Sequence, residues 1–187
     1  MASCAHCGPE VHGVPRPGGD RVVAALAGNP NTGKSSIFNH LTGSSQHVGN
    51  WPGKTVSKAH GLFSDGDLEV QLVDLPGTYS LNASSPEEII ARDYLVHGRP
   101  DVVIVVVDAS NLERNLYLVV QVLEIGLPTL IALNMADVAD SRGIDVDVEA
   151  LSELLGAQVI PTVARRGQGL DMLRNAVSEV AALEPSS

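Results

Sequence analysis

Apolar residues in this chain come as short continuous runs, separated by stretches in which they recur at helical spacing. RVVAALAG (21–28) is a brief apolar run closed by glycine, the pattern of a buried strand. DVVIVVVDAS (101–110) and LPTLIALN (127–134) repeat it, and their β-branched content predicts strands covered on both faces. QVIPTVA (158–164) is a shorter strand of the same kind. Between these runs the period changes. A helix is predicted from Lys34 to Leu41, another over SSPEEIIARDYLVHG (84–98), with Ser and Pro at its start, acids in its first turn and glycine after it. NLERNLYLVVQVLEIG (111–126), DVEALSELLGA (147–157) and GLDMLRNAVSEVAAL (169–183) complete the helices. Gly61–Ser64 and Leu68–Asp74 read as a hairpin around Asp65-Gly66. Alternating strands and helices predict an α/β fold: a mostly parallel six-stranded sheet with helices on both faces.

This pattern divides the chain into a tail over 1–20, rich in Gly and Pro and without periodicity, a folded domain over 21–183, and a short end over 184–187. At 187 residues with 44% apolar content, one domain with a substantial core is expected. Apolar runs such as Val102–Val107 fall far short of the ~20 residues that span a bilayer. No basic-then-apolar leader opens the sequence, so a soluble, intracellular domain is expected. The net charge of −10, with no stripe of Lys and Arg, argues against nucleic acid as a partner.

Candidate chemistry begins where the first strand ends. Gly28-Asn29-Pro30-Asn31-Thr32-Gly33-Lys34-Ser35 fits G-x-x-x-x-G-K-[ST], between a predicted strand and a predicted helix. Backbone N–H groups and a helix N-terminus favour a phosphate there. Lys34 is placed to reach the β- and γ-phosphates, and the Ser35 hydroxyl to ligate Mg2+. Asp74-Leu75-Pro76-Gly77 ends the next apolar strand, with Asp74 a second Mg2+ holder and the Gly77 N–H facing the γ-phosphate. Asn134-Met135-Ala136-Asp137 resembles the N-K-x-D motif of GTPases. A carboxylate at Asp137 accepts from guanine N1–H and the 2-amino group, which adenine lacks. Asp137 also suits a helix N-cap, a role compatible with base reading. Met135 replaces the usual lysine, leaving an apolar stem and no hydrogen bond to ribose. Val163-Ala164-Arg165 resembles the S-A-K loop, whose alanine N–H meets guanine O6.

The four motifs in this order resemble a Ras-like P-loop GTPase. Longer stretches narrow the resemblance: GNPNTGKSSIFNHLTG, VGNWPGKTV, DLPGTYSL, SPEEIIARDYL, NLERNLYL, ALNMAD and LSELLGAQVIPTVARRGQGL are together similar to the GTPase domain of the FeoB family of bacterial ferrous iron transport proteins. The similarity covers about Arg21 to Val180. It implies GTP or GDP as ligand and GTP hydrolysis as reaction. The implied nucleotide site comprises Gly28, Asn29, Pro30, Asn31, Thr32, Gly33, Lys34, Ser35 and Ser36, then Gly53, Lys54 and Thr55, Asp74, Leu75, Pro76 and Gly77, and the base-facing Asn134, Met135, Asp137, Val163, Ala164 and Arg165. The Mg2+ set is Ser35, Thr55 and Asp74, Thr55 being the switch I threonine. Thr78 and Tyr79 follow the D-x-x-G motif where many GTPases carry a glutamine, so another charge must assist hydrolysis. The resemblance supplies K+, held by the Asn31 side chain and by the Gly49 and Trp51 carbonyls. Asn31, Lys34, Thr55 and Gly77 are then the catalytic group. Trp51, the single tryptophan, is expected to shape that switch loop, the alternative being simple packing on the domain surface.

The resemblance also implies a cytoplasmic domain, tied to the bacterial inner membrane through the transport portion of the full-length protein. In the tail, Cys4-Ala5-His6-Cys7 and His12 offer a thiolate and imidazole clip suited to Zn2+ or Fe2+, or an inert segment. Two other readings stay open: a potassium-activated GTPase of the ribosome- and tRNA-associated class, and a slow nucleotide-dependent switch that works by docking a partner.

Overall fold

A computed structural model describes residues 21–43 and 46–183. Cys4, Cys7 and the rest of the 1–20 tail, like the 184–187 end, lie outside the described residues. Among the described residues seven strands form one sheet in the order β2-β3-β4-β1-β5-β6-β7. They are β1 (Val22–Gly28), β2 (Gln46–Asn50), β3 (Ser57–Asp65), β4 (Leu68–Asp74), β5 (Val102–Asp108), β6 (Thr129–Asn134) and β7 (Gln158–Pro161). Strand β1 pairs parallel with β4 on one side and β5 on the other, and β5, β6 and β7 continue in parallel. Only β3 runs against its neighbours, pairing antiparallel with both β2 and β4.

The six-stranded expectation falls one strand short. Strand β2 occupies the stretch read as a loop, and β3 begins at Ser57 rather than Gly61. The reason is physical: β2 is an edge strand whose residues, apart from half-buried Gln46, are all exposed, so no apolar alternation announces it. Backbone pairing to β3, from Gln46↔Gly61 to Asn50↔Ser57, holds it in place.

The helices are α1 (Lys34–Thr42), α2 (Pro86–Asp93), α3 (Leu112–Glu124), α4 (Ala136–Ser141), α5 (Val148–Leu155) and α6 (Leu170–Leu183). Helix α2 starts as its sequence demands: Ser85 accepts the Glu88 N–H at 3.2 Å, and Pro86 takes the first turn. It ends in a π-helical turn over Tyr94–Gly98. Helix α4 has no counterpart in the sequence reading, because six residues are too few to display a period.

Strand alternation sorts the core into two layers. Ala24, Leu26, Val102, Ile104 and Val106 face Ile37, Phe38 and Leu41 of α1 and Leu173 and Val177 of α6. Ala25, Ala27, Val103, Val105 and Val107 face the opposite layer, with Ile90, Tyr94, Leu118, Val119 and Val122. Both faces of the central strands are therefore dry, which is why these runs are continuously apolar. Chain order reverses on either side of β1, and its carboxyl end is where an open α/β sheet leaves its binding crevice.

Candidate nucleotide site

The loop from Gly28 to Gly33 leaves the end of β1 and delivers Lys34 as the first residue of α1. Two glycines in it are required by close approach. A Cβ on Gly28 would lie 2.7 Å from the Val106 carbonyl oxygen, and one on Gly33 would lie 2.2 Å from the Asn134 side-chain nitrogen. Gly33 also has φ +87°, the left-handed region that glycine enters without penalty. Asn31 adopts φ +67° at the exposed tip of the loop, a conformation asparagine tolerates better than most residues.

Asn134 is the knot of the site. It is 3% exposed and its amide donates to the Thr32 carbonyl at 2.8 Å. Its side-chain oxygen accepts from the Ala164 N–H at 3.0 Å and the Thr162 hydroxyl at 3.3 Å. One buried amide thus joins the phosphate loop, the end of β6 and the turn after β7.

The D-x-x-G segment lies against the same loop. The Leu75 N–H donates to the Leu26 carbonyl at 3.0 Å, and the Thr78 N–H to the Gly28 carbonyl at 3.2 Å. Gly77 packs on Pro30, its absent Cβ falling 3.4 Å from the proline Cα and N. The Lys34 ammonium forms an ion pair with the Asp74 carboxylate. Burial pushes the Asp74 carboxyl above its ordinary range, opposed by the neighbouring Lys34 charge and hydrogen bond. The part-buried Asp74 carboxylate beside the Lys34 ammonium, and the exposed Ser35 hydroxyl one residue further along α1, are oxygen donors of the kind Mg2+ takes.

On the other side of the loop, Gly33, Asn134, Met135, Asp137, Ala164 and Arg165 line part of a cavity of about 120 Å³. Met135 takes φ +62° and precedes α4, with its methyl 3.8 Å from the position a Gly33 Cβ would occupy. Asp137 sits in the first turn of α4, and Met135 takes the N-cap position suggested for Asp137. The Asp137 carboxylate pairs with the Arg165 guanidinium, and Arg166 stands at 3.7 Å.

The switch I segment is spread more widely. Gly49 pairs with Lys58 in the β2–β3 ladder, and Gly53, Lys54 and Thr55 are exposed in the following turn. Among the described residues no side-chain hydrogen bond joins Thr55 to the phosphate loop or Asp74. The Trp51 carbonyl accepts the Lys54 N–H at 3.0 Å. Its indole is 8% exposed, meets the Tyr94 ring edge-on at 5.4 Å and lies under the Lys58 ammonium at 4.8 Å. Trp51 therefore fastens the switch to the core layer that holds Leu81, Ile90 and Tyr94. That is deeper than the surface packing weighed as its alternative role.

Some residues at this end of the sheet escaped the sequence reading. The Glu88 carboxylate accepts the Ser80 hydroxyl at 2.7 Å and the Ser84 N–H at 2.9 Å, bracing the segment after D-x-x-G. Those two bonds hold its carboxyl below the ordinary glutamate range. The signal was present as S-x-x-E at Ser85–Glu88, a capping box whose carboxylate here reaches beyond the helix. Arg114 lies over the Tyr79 ring at 4.3 Å, a contact with no local sequence signal.

A phosphate loop at the sheet's switch point, a D-x-x-G strand beside it and a guanine-type motif knotted to the loop through Asn134 define the P-loop GTPase class. Within that class, residues 22–177 match the ferrous iron transport protein B family, and the chain belongs to it. It is 51% identical over 168 residues to the Fe(2+) transporter FeoB of Escherichia coli K12, covering 88% of this chain and 22% of that protein. The chain thus spans about a fifth of the length of such curated relatives. The crystal structure of the G domain of T. maritima FeoB superposes with a TM-score of 0.81 at 44% identity, covering 86% of this chain and 99% of that one. A GDP-bound point mutant of S. thermophilus NFeoB gives a TM-score of 0.81 at 48% identity, covering 88% of this chain and 65% of that one.

Proposed function

We propose that this chain binds GTP and GDP, hydrolyses GTP with Mg2+ and K+, and so governs Fe2+ passage through the membrane portion of a full-length FeoB transporter. The observation that carries the nucleotide reading is Asn134, whose three hydrogen bonds bring the phosphate loop and the base-reading segments into one unit. The S. thermophilus relative holds GDP on the same fold, which supports a guanine nucleotide here.

In this reading Lys34 turns from Asp74 to the β- and γ-phosphates, freeing the Asp74 carboxylate toward the metal side. Ser35 and Asp74 would hold Mg2+, and Thr55 would join them if the switch I turn closed. The Gly77 N–H, positioned by packing on Pro30, donates to the γ-phosphate. When bound there, Mg2+ and K+ would supply positive charge against the phosphate oxygens. Asn31 would offer K+ its side-chain carbonyl, and the Gly49 and Trp51 carbonyls would complete the set if switch I closed over it. Thr78 is buried and Tyr79 is engaged by Arg114, so neither acts as a base, and positioning with electrostatics carries the rate.

Among the described residues no helix is long and apolar enough to cross a membrane, so attachment to the cytoplasmic side of the bacterial membrane is assigned to other parts of the transporter. The acidic composition gives no footing for nucleic acid. Fe2+ or Zn2+ binding by Cys4 and Cys7 remains a proposal for the tail. The test is GTP turnover with Mg2+ in KCl against NaCl: turnover rises in KCl alone, and Asn31→Ala removes the difference. Equal turnover in both salts refutes the potassium assignment.

A further inference from the structure

The base-reading carboxylate already has a partner from its own chain. Asp137 lies at the mouth of the 120 Å³ cavity, its side chain only 16% exposed, and the Arg165 guanidinium pairs with it while Arg166 approaches to 3.7 Å. Arg165 and Arg166 are mostly exposed, at 64% and 57%, and both follow Ala164, whose N–H is fixed on Asn134. The backbone is therefore anchored while the arginine side chains have room to swing into solvent.

Guanine meets a carboxylate through N1–H and the exocyclic 2-amino group, two parallel donors on one carbon. An arginine guanidinium presents the same donor pair in the same planar fork. From this chemical identity we infer that Arg165 is an intramolecular competitor of the base: it holds Asp137 as guanine does, and a guanine nucleotide must displace it. The inference rests on the guanine reading above and adds a regulator to the same site. Its consequence is weaker binding and faster exchange of GDP than the pocket's shape alone dictates. Arg166 is the reserve cation, close enough to take Arg165's place.

Because the Arg165 guanidinium is largely exposed and screened by solvent, the pair's worth is that of a surface ion pair, and the expected effect is modest. Removing both cations in Arg165→Ala/Arg166→Ala tightens GDP by roughly two- to five-fold and slows its dissociation by a similar factor. The single Arg165→Ala gives a smaller gain, since Arg166 moves in. Salt supplies a readout that mere packing does not give. With Na+ as the added cation, the ratio of wild-type to variant Kd falls toward one between low salt and about 1 M, where screening acts over only ~3 Å.

The experiment is calorimetry and stopped-flow dissociation of GDP on the wild type and both variants at two NaCl concentrations. Tightening that fades with salt supports the competitor. Unchanged or weakened GDP binding in the double variant, or a gain indifferent to salt, overturns it while leaving guanine recognition intact. Failure of every protein to bind any guanine nucleotide sinks the guanine reading itself and this inference with it.

Discussion

Asn134→Ala tests the knot that holds the site together. The substitution removes three hydrogen bonds at 2.8, 3.0 and 3.3 Å and leaves the Thr32 carbonyl and the Ala164 N–H without their partner. Both residues are 2% exposed, so solvent does not readily replace what is lost. An orphaned buried backbone group costs about 1–3 kcal/mol, and two of them give a loss of roughly 2–5 kcal/mol. For a domain of this size each kcal/mol moves Tm by about 2–4 °C, so a fall of roughly 5–15 °C is expected. Urea denaturation followed by circular dichroism measures the free energy, and a thermal scan measures the shift. Thr162→Val is the internal control: it deletes only the 3.3 Å bond and costs about 1 kcal/mol or less. If Asn134→Ala stays within about 0.5 kcal/mol of wild type, the network is not a structural tie, and the joining of phosphate loop to base pocket is wrong.

Other perturbations read other parts of the site. Met135→Lys restores a donor toward ribose and slows GDP dissociation by several-fold, as followed by fluorescent-nucleotide chase; unchanged release refutes the role given to the thioether. His60 pairs with His47 across β2–β3, their rings stacked at 5.3 Å, and burial, Lys58 and His47 together depress its pKa below 6.5. A depressed histidine pKa stabilises the fold above the unfolded value and loses that contribution as pH falls through the folded one. Stability therefore declines as pH drops from about 7 toward 5, and His60→Gln flattens the decline in denaturation curves; identical slopes for both proteins contradict it.

The central architecture was legible because its causes are local. Strands β1, β5 and β6 are dry on both faces and had to be apolar throughout, and the phosphate loop needs glycine where other backbones and side chains come within 3 Å. What stayed hidden depends on partners far along the chain. Strand β2 has β3 as its one neighbour in the sheet and exposes nearly all its side chains, so they carry no signal. Asn134 was recognisable as a base-motif residue, but its bond to Thr32 spans 102 positions and no local pattern announces it. The Arg165–Asp137 pair is likewise a product of the fold, bringing the turn after β7 against α4. Trp51 stands out in the sequence as the single tryptophan, whereas its anchoring on Tyr94 emerges only from packing.

Selection of guanine by the cavity beside Asp137 is the property on which the nucleotide chemistry depends. Isothermal titration of the 187-residue chain with GDP and with ADP, each with Mg2+, measures this directly. GDP is expected to bind with a one-to-one stoichiometry and ADP at least about a hundred-fold more weakly, because adenine offers no donor pair to the carboxylate. Equal affinity for the two, or a preference for ADP, would contradict it.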